Sequence, residues 1–481
     1  MIFSDKDLRQ IKEHGLTVKE ITQQLKQFKK GFPYINIIKP VTDSDLYIVG
    51  NDLVGNYMAT KYTKYAKTHK IVKFVPASGA ATRMSQDLYD YLKSGNINQT
   101  VLKTVEHISD FAFYNDLKKY ISADSGYTDI VKSIVSEPGL NYGNTAKGLI
   151  SFHKYGNYAK TPVEEHMVEG AEYAMSGDTV NIHFTVSPEY RKAFETLLKR
   201  IVPIYELKYC VKYKIEISEQ KPSTDTIAVN KDNTVFRNLD GSLLLRPAGH
   251  GALIENLNDI DADIIFIKNI DNVQPDNLRK DTIKYKKMLA GILVHKQQQI
   301  FDFIRQIDAR TANISEIHKF IESNLGLKLS HKLSADEYKQ ILNRPIRVCG
   351  IVKNIGAPGG GPFWVRDKDG NTSLQIVESS QISPESRDIM NKSEYFNPVD
   401  LVCGIRDYNG KKFDLTKYID KNTGFISEKS KDGAKLLAME RPGLWNGAMA
   451  NWITIFVPVP ASTFTPVKSI ADLLLKEHQP R

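Results

Sequence analysis

The segment Pro76-Ala77-Ser78-Gly79-Ala80-Ala81-Thr82-Arg83-Met84 sets small side chains and one arginine directly after the apolar run Ile71–Pro76. Small residues between a strand and a helix leave backbone N–H groups open to a ligand, and the helix N-terminus adds partial positive charge. Ala77, Ser78, Gly79 and Ala80 would let phosphate oxygens approach the main chain, and Arg83 would bring charge to a pyrophosphate. The same residues also suit an ordinary tight strand–helix turn, because short glycine motifs recur for packing reasons alone.

Three further segments carry side chains with chemical capacity. Asn269-Ile270-Asp271-Asn272 follows the apolar run Ile264–Lys268, and ligands of open α/β sheets bind beyond the carboxyl ends of strands. An aspartate there can hold magnesium, which takes few carboxylates together with phosphate oxygens; the alternative is an Asx-rich turn capping the next element. Arg246-Pro247-Ala248-Gly249-His250-Gly251-Ala252 is a shaped loop whose backbone can read a base edge and whose histidine can donate to a phosphate, although a lone histidine in a turn is more often structural. Lys147 (AKGLISF) and Lys468 (FTPVKSIADLLL) can serve phosphates as point charges, but the chain holds many other lysines.

These segments need elements to hold them. Leu8, Ile11, Leu16, Val18, Ile21 and Leu25 recur at helical spacing, with Thr17 able to cap a second segment, and 51–69 also reads as a helix. A helix is expected to start near Arg83, with Met84, Leu88, Tyr91 and Leu92 along one stripe, followed by a helical insertion over about 98–140. Val180–Val186 reads as a strand, and Ser187-Pro188-Glu189 after it as a helix start: a serine cap, proline in the first turn, an acid behind it. Val211–Ile217 and Ile264–Lys268 are expected strands, the second buried on both faces. Helices follow at about 284–307 and 314–324, then strands at Ile346–Val352, Ser373–Val377 and Trp452–Val459, with a turn at Asp367–Gly370. The alternation predicts an α/β protein with a three-layer, mostly parallel sheet and helices on both faces.

At 481 residues the chain is long for one domain. The reading divides it into an N-terminal helical extension (1–70), an α/β core (71–400) and a C-terminal segment (401–481) that completes the core. Hydrophobic content of 41% and charged content of 25% are those of a soluble globular protein. The net charge of +9 is spread along the chain, and runs such as that near Lys26 are diluted by polar residues. That disfavours nucleic acid as a partner, since no basic stripe is interleaved with aromatics, and leaves room for a basic cleft that takes an anion. Cys210, Cys349 and Cys403 lie far apart and are expected to be buried, reduced thiols in strands. No apolar run reaches a membrane span and no signal core is present, so the expected location is cytoplasmic.

Taken in order, the segments resemble the nucleotide-sugar pyrophosphorylases, especially those that make UDP-glucose and UDP-N-acetylhexosamines. Pro76–Met84 is similar to the family's L-A-G-G-x-G-T-R-[LM] loop, and Ala146-Lys147-Gly148 to its P-K-G lysine. Ser218–Pro222 resembles its glutamine segment, Pro247–Gly251 its P-P-G-H-G, and Asn269–Val273 its N-[SV]-D-N-L. Gly360–Gln381 resembles the sugar-binding stretch, with Leu374, Glu378 and Gln381 in register, and Phe464–Leu474 the R-F-x-P-V-K-x-x-x-D-L-L segment, with Lys468 and Asp472 matched.

The resemblance implies a GT-A-like nucleotidyltransferase core and transfer of a nucleotidyl group from an NTP, UTP by family analogy, to a sugar-1-phosphate with release of magnesium-bound pyrophosphate. By position, Ala77, Ser78, Gly79, Ala80 and Arg83 would hold the triphosphate, and Lys147 and Lys468 would neutralise charge at the transferring phosphate. Gln220, Gly249, His250 and Gly251 would face the base and its phosphates, Asn269 and Glu378 the sugar, and Asp271 the magnesium ion. The chain departs from the pattern at Ala81 and Ala146, where the family has glycine and proline, and a longer segment separates loop from lysine. Asn446 and Asp472 are the candidates for a second metal ligand. Two other readings stay open: a glycosyltransferase on the same fold, for which Asp261-Ala262-Asp263 has the spelling of a metal motif but stands before its strand, and a nucleotide-binding protein without turnover.

Overall fold

The run IIFIK is buried at every position, its terminal lysine included, and it lies at the centre of the sheet that organises the chain. In the computed structural model, which describes residues 3–354, 359–396 and 400–480, this sheet has seven main strands. In chain order they are β1 (Ile71–Pro76), β2 (Thr179–Val186), β3 (Lys212–Glu219), β4 (Ile264–Lys268), β5 (Ile346–Lys353), β6 (Asp400–Gly404) and β7 (Ile453–Pro458). Side by side they run β3-β2-β1-β4-β6-β5-β7, all in one direction except β6, which is antiparallel to both its neighbours. The outer limits of the expected division, residues 1 and 481, lie outside the described residues.

The sheet is covered on both faces. On one, the helices Asp52–Ala66 and Lys280–Asp308 pack over Ile71, Ile264, Phe266, Val348 and Val402. They cross closely because Gly291 has no side chain: a Cβ there would come within 1.9 Å of the Met58 carbonyl oxygen. On the other face, Val72, Phe74, Ile265, Ile267, Cys349 and Cys403 meet the helix Leu253–Asp259. The helices Pro162–Tyr173 and Pro188–Tyr209 cover the β2 side. Each large apolar side chain buried this way contributes roughly 1.5–3 kcal/mol, so the mixed α/β, mostly parallel layering follows from the apolar runs that predicted it.

Several local expectations are corrected. The strand Thr372–Val377 belongs to a separate antiparallel sheet with Ile37–Pro40, Gly361–Arg366 and Leu327–Lys328, so the N-terminal residues are not helical throughout. Thr17 does cap the helix Val18–Lys30, with Glu20 completing a capping box, but the helix expected near Arg83 begins only at Gln86. Cys210 is exposed and sits in the left-handed region (φ 54°) as the cap of Pro188–Tyr209, one residue short of the strand; Cys349 and Cys403 are buried. The 98–140 region is helical, with Gln99–Glu106 and Tyr127–Val135 building a core of their own. Among the described residues no helix is long and apolar enough to cross a membrane.

Candidate functional site

β1 and β4 are parallel neighbours, and the two loops leaving their carboxyl ends run side by side, with the Ile270 amide donating to the Pro76 carbonyl (3.2 Å). In the first loop, the Ala77 amide donates to Thr185 and the Ala81 amide to Thr145. The amides of Ser78, Gly79, Ala80, Thr82 and Arg83 have no acceptor among the described residues, and a Cβ on Gly79 would meet open space. Backbone N–H groups left without an acceptor in a loop after a strand are what an anion cradle requires. Ser187, expected only to cap its helix, instead donates its hydroxyl to the Ser78 carbonyl (2.8 Å) and so ties down the loop. Ala81, in the place of a family glycine, is buried and has no positive φ, so its methyl group is accommodated without strain. Arg83 is exposed in the turn before Gln86 and has no ion-pair partner among the described residues.

The helical insertion leaves and returns at this loop. Ala80 pairs with Ala146 as an antiparallel bridge, and the Lys147 amide donates to Gly79 (3.2 Å). Lys147 is thereby carried beside the second loop, where its Nζ donates to Asp271 Oδ2 (2.9 Å) and to the Val467 carbonyl. The approach needs a small neighbour: a Cβ on Gly148 would come within 3.0 Å of the Ile270 and Phe194 side chains. The Val467 amide donates to the Asp271 carbonyl (3.2 Å), which brings the segment carrying Lys468 to the same place.

Beneath Asp271 the support is polar and buried. His166 Nε2 lies 3.1 Å from the Asn269 carbonyl and 3.3 Å from that of Ile270; both can only accept, so this nitrogen carries the proton. Burial and the nearby Lys73 hold His166 well below the usual histidine range, so it remains a neutral donor. One turn on, Glu169 accepts from Lys73 of β1 and Lys268 of β4, 2.8 Å each, all three side chains fully buried. Burial alone would raise the Glu169 carboxyl, but Lys268 and Lys73 hold it well below its ordinary value. The two strands that present the loops are thus joined through one carboxylate. A lysine at the end of a strand reads as solvent-exposed in sequence, which is why this cluster was missed.

The open site is a cleft of about 190 Å³ lined by Asn269, Asp271, Glu378, Lys468 and three aromatic rings, Phe396, Trp445 and Phe464, among others. Asn269, Glu378 and Lys468, drawn from three distant segments, therefore meet at Asp271. Phe464 opens the segment that carries Lys468, whereas Phe396, from the short strand Tyr395–Phe396, and Trp445 belong to no motif and were not anticipated. Lys468 is exposed, its ammonium 5.9 Å from the Phe396 ring centre. Glu378 has no cationic partner among the described residues, and burial, with Glu440 nearby, raises its carboxyl above the ordinary range.

The expected base-binding residues lie to one side. Asn256, on the helix after Gly251, donates to Ser218 Oγ (2.9 Å) and to the Glu219 carbonyl (2.8 Å), which sets the end of β3 beside that helix. Gln220 itself donates to Asp225 (3.3 Å). Gly249 has φ +77°, and Gly251 packs so tightly that a Cβ would lie 2.0 Å from the Pro442 carbonyl oxygen. His250 accepts at Nδ1 from the Leu444 amide (3.0 Å) and stacks on Trp445 at 4.1 Å; burial holds its pKa down to about 4. It reaches the cleft through Trp445 and does not line it.

Neither candidate for a second metal ligand stands at Asp271. Asp472 caps its own turn, accepting from the Lys468 and Ser469 amides, and Asn446 is buried and donates to Gln381 (3.2 Å). Among the described residues no group of three or more His, Cys, Asp or Glu side chains is arranged to hold a metal ion. With Oδ2 on Lys147, Asp271 keeps Oδ1 without a partner among the described residues, a donor set that suits magnesium shared with phosphate oxygens and not a closed protein cage. Asp261 and Asp263, the alternative metal motif, lie at the opposite end of β4 and bind Arg406.

The sequence matches the model of a family described as a domain of unknown function (DUF4301) over residues 4–479, and the chain belongs to that family. No curated protein matches it. In structure it is similar to a UDP-glucose pyrophosphorylase mutant from Leishmania major in complex with UDP-Glc, at 14% identity, 98% of this chain, 77% of that one and a TM-score of 0.48. It is also similar to the uridine diphosphate N-acetylglucosamine pyrophosphorylase from Trypanosoma brucei (11%, 95% and 74%, 0.48). A third likeness is to the inositol-1-phosphate CTP transferase from T. maritima (11%, 84% and 92%, 0.33). Likenesses this distant carry no weight for chemistry; the side chains of the cleft do.

Proposed function

We propose that this member of the family is a nucleotidyltransferase that joins an NTP, UTP in the first instance, to a sugar-1-phosphate and releases pyrophosphate. The observation that carries the reading is the meeting of Lys147, Asp271 and Lys468 at the carboxyl ends of β1 and β4, beside a loop in which five amides have no acceptor among the described residues. An oxygen of the acceptor's phosphate attacks the α-phosphorus of the NTP. The new P–O bond forms as the bond from that phosphorus to the bridging oxygen breaks, and the electron pair leaves on pyrophosphate. The attacking phosphate is already deprotonated, so no general base is required.

Catalysis of this kind needs orientation and charge more than covalent help. The amides of Ser78, Gly79, Ala80, Thr82 and Arg83 would bind the triphosphate, with the Arg83 side chain at its distal end. Lys147 and Lys468 would neutralise charge at the transferring phosphate. Magnesium, held by Asp271 and the phosphates, would supply charge neutralisation on the leaving pyrophosphate. The loop at Gly249–Gly251, steadied against Pro442, would face the base together with Gln220.

The test is magnesium-dependent pyrophosphate exchange across UTP, CTP, ATP and GTP with a panel of sugar-1-phosphates. Exchange with UTP supports the reading in full, exchange with another NTP corrects the nucleotide, and no exchange with any pair rejects it.

A further inference from the structure

The wall of the cleft that faces Asp271 is unusual in what it lacks. Among the residues described there, Gly359, Gly360, Ile376, Phe396 and Trp445 present no charge, and Phe464 closes the gap from the other wall, its ring 5.6 Å from that of Phe396. The one carboxylate among these residues is Glu378, and the remaining polar side chains of the cleft are Asn269, Asp271, Asn272 and Lys468. Trp445 is covered on one face by His250 at 4.1 Å, so the ring is braced and its remaining surface borders the cleft. All three aromatic side chains are partly buried and keep exposed surface.

A hexose would find Asn269, Asn272 and Glu378 for its hydroxyl groups in this cleft, but nothing among the aromatic rings themselves. An ammonium group asks for something different: aromatic faces, whose quadrupoles attract a cation, and one carboxylate. Glu378 has no cation of its own among the described residues, and a partly buried carboxylate without one is poised to gain from an incoming positive charge. Lys147 and Lys468, near Asp271, supply the opposite requirement for a phosphate.

Resting on the transfer reading above, we propose that the acceptor is a phosphate monoester that carries an ammonium group, an amino-sugar 1-phosphate or an amino-alcohol phosphate. The phosphate lies toward Asp271, Lys147 and Lys468, whose own ammonium stands 5.9 Å from the Phe396 ring centre, and the incoming ammonium group sits against Trp445 and Phe464 with Glu378 as its counter-ion. The transfer is unchanged: an oxygen of the monoester attacks the α-phosphorus, and pyrophosphate leaves with the electron pair of the broken bond.

The experiment measures pyrophosphate release by the full chain with magnesium and the preferred NTP, using choline phosphate, ethanolamine phosphate, glucosamine 1-phosphate and glucose 1-phosphate. At least one cationic acceptor is expected to exceed glucose 1-phosphate by ~10-fold or more in kcat/KM, the scale of a desolvated cation–aromatic contact. Preference for glucosamine 1-phosphate assigns a sugar, and preference for the other two an amino alcohol. In Glu378→Gln the ratio of the preferred cationic acceptor to glucose 1-phosphate is expected to fall by ~10-fold. Glucose 1-phosphate as the best acceptor, or an unchanged ratio in Glu378→Gln, overturns the proposal and leaves the transfer reading standing. If no acceptor releases pyrophosphate, the transfer reading fails, and binding decides the cation site alone. Saturable quenching of tryptophan fluorescence by choline phosphate, lost in Trp445→Phe and weakened in Glu378→Gln, upholds it; no quenching rejects it.

Discussion

Lys147 and Asp271 stand 124 residues apart in the chain, and their side chains meet at 2.9 Å. Both are mostly buried, at 14% and 21% exposure, so the pair is less screened than a surface bridge yet still reachable from the cleft. Lys147→Ala and Asp271→Ala are each expected to lower exchange by ~100-fold or more, the usual effect of removing one preorganised charge partner. Residues that act as a unit lose activity less than additively, so the double variant should be little worse than the poorer single one. Exchange kinetics with thermal melts check this; tight nucleotide binding with no exchange in the wild-type chain would favour the non-catalytic reading.

Among the described residues the Ser187 hydroxyl bonds only to the loop backbone, at Ser78. Ser187→Ala is expected to raise the KM for NTP several-fold while changing stability by about 1 kcal/mol, the worth of one hydrogen bond. A fall in kcat with unchanged KM would show that the tie to Ser78 does not position the nucleotide.

Glu169 is the only carboxylate that either Lys73 or Lys268 contacts among the described residues. Removing its charge leaves two buried ammonium groups uncompensated, so Glu169→Gln is expected to destabilise the fold by about 3–5 kcal/mol. Urea unfolding measures the loss directly. A change below about 1 kcal/mol would mean that the lysines release their protons at little cost.

His250 gives a pH dependence with a definite sign. Its folded pKa, about 4, lies below the ordinary value near 6.5, so the unfolded chain binds the proton more tightly. The stability from this residue is present above pH ~6.5 and lost as pH falls toward ~4, up to about 3 kcal/mol. His250→Asn keeps an acceptor for the Leu444 amide but cannot titrate, so its urea midpoint should fall less steeply across that window. Equal slopes would assign the acid sensitivity elsewhere.

Much of the fold can be read in the sequence because it rests on local signals. The runs at Ile71–Pro76 and Ile264–Lys268 are strands, and the capped segment after Ser187 is a helix, as their residue types require. Thr372–Val377 misled because its alternation is the same whichever sheet it joins. The candidate site was legible where a motif sits beside a strand end, as at Asp271. It was illegible where the function of a residue depends on a partner far along the chain. Lys73 and Lys268 look like solvent-facing positions until Glu169 is folded between them, and nothing near Phe396 or Trp445 marks them as walls of one cleft. Cys210 shows the cost of a boundary shift of one residue: it caps a helix, and its thiol is exposed.

The core of the helical insertion takes in more than its own helices. Ala81 from the first loop, Val273 just after Asp271, and Val467 and Ile470 on either side of Lys468 are buried in the same cluster. Regions that share one packed core open together, as a single cooperative unit. A fluctuation that loosens the insertion would therefore release the loop, the carboxylate and the terminal lysine in one event. The extra segment between loop and lysine thus serves as a common buttress, and its packing steadies the loop, the segment after Asp271 and the segment carrying Lys468 together.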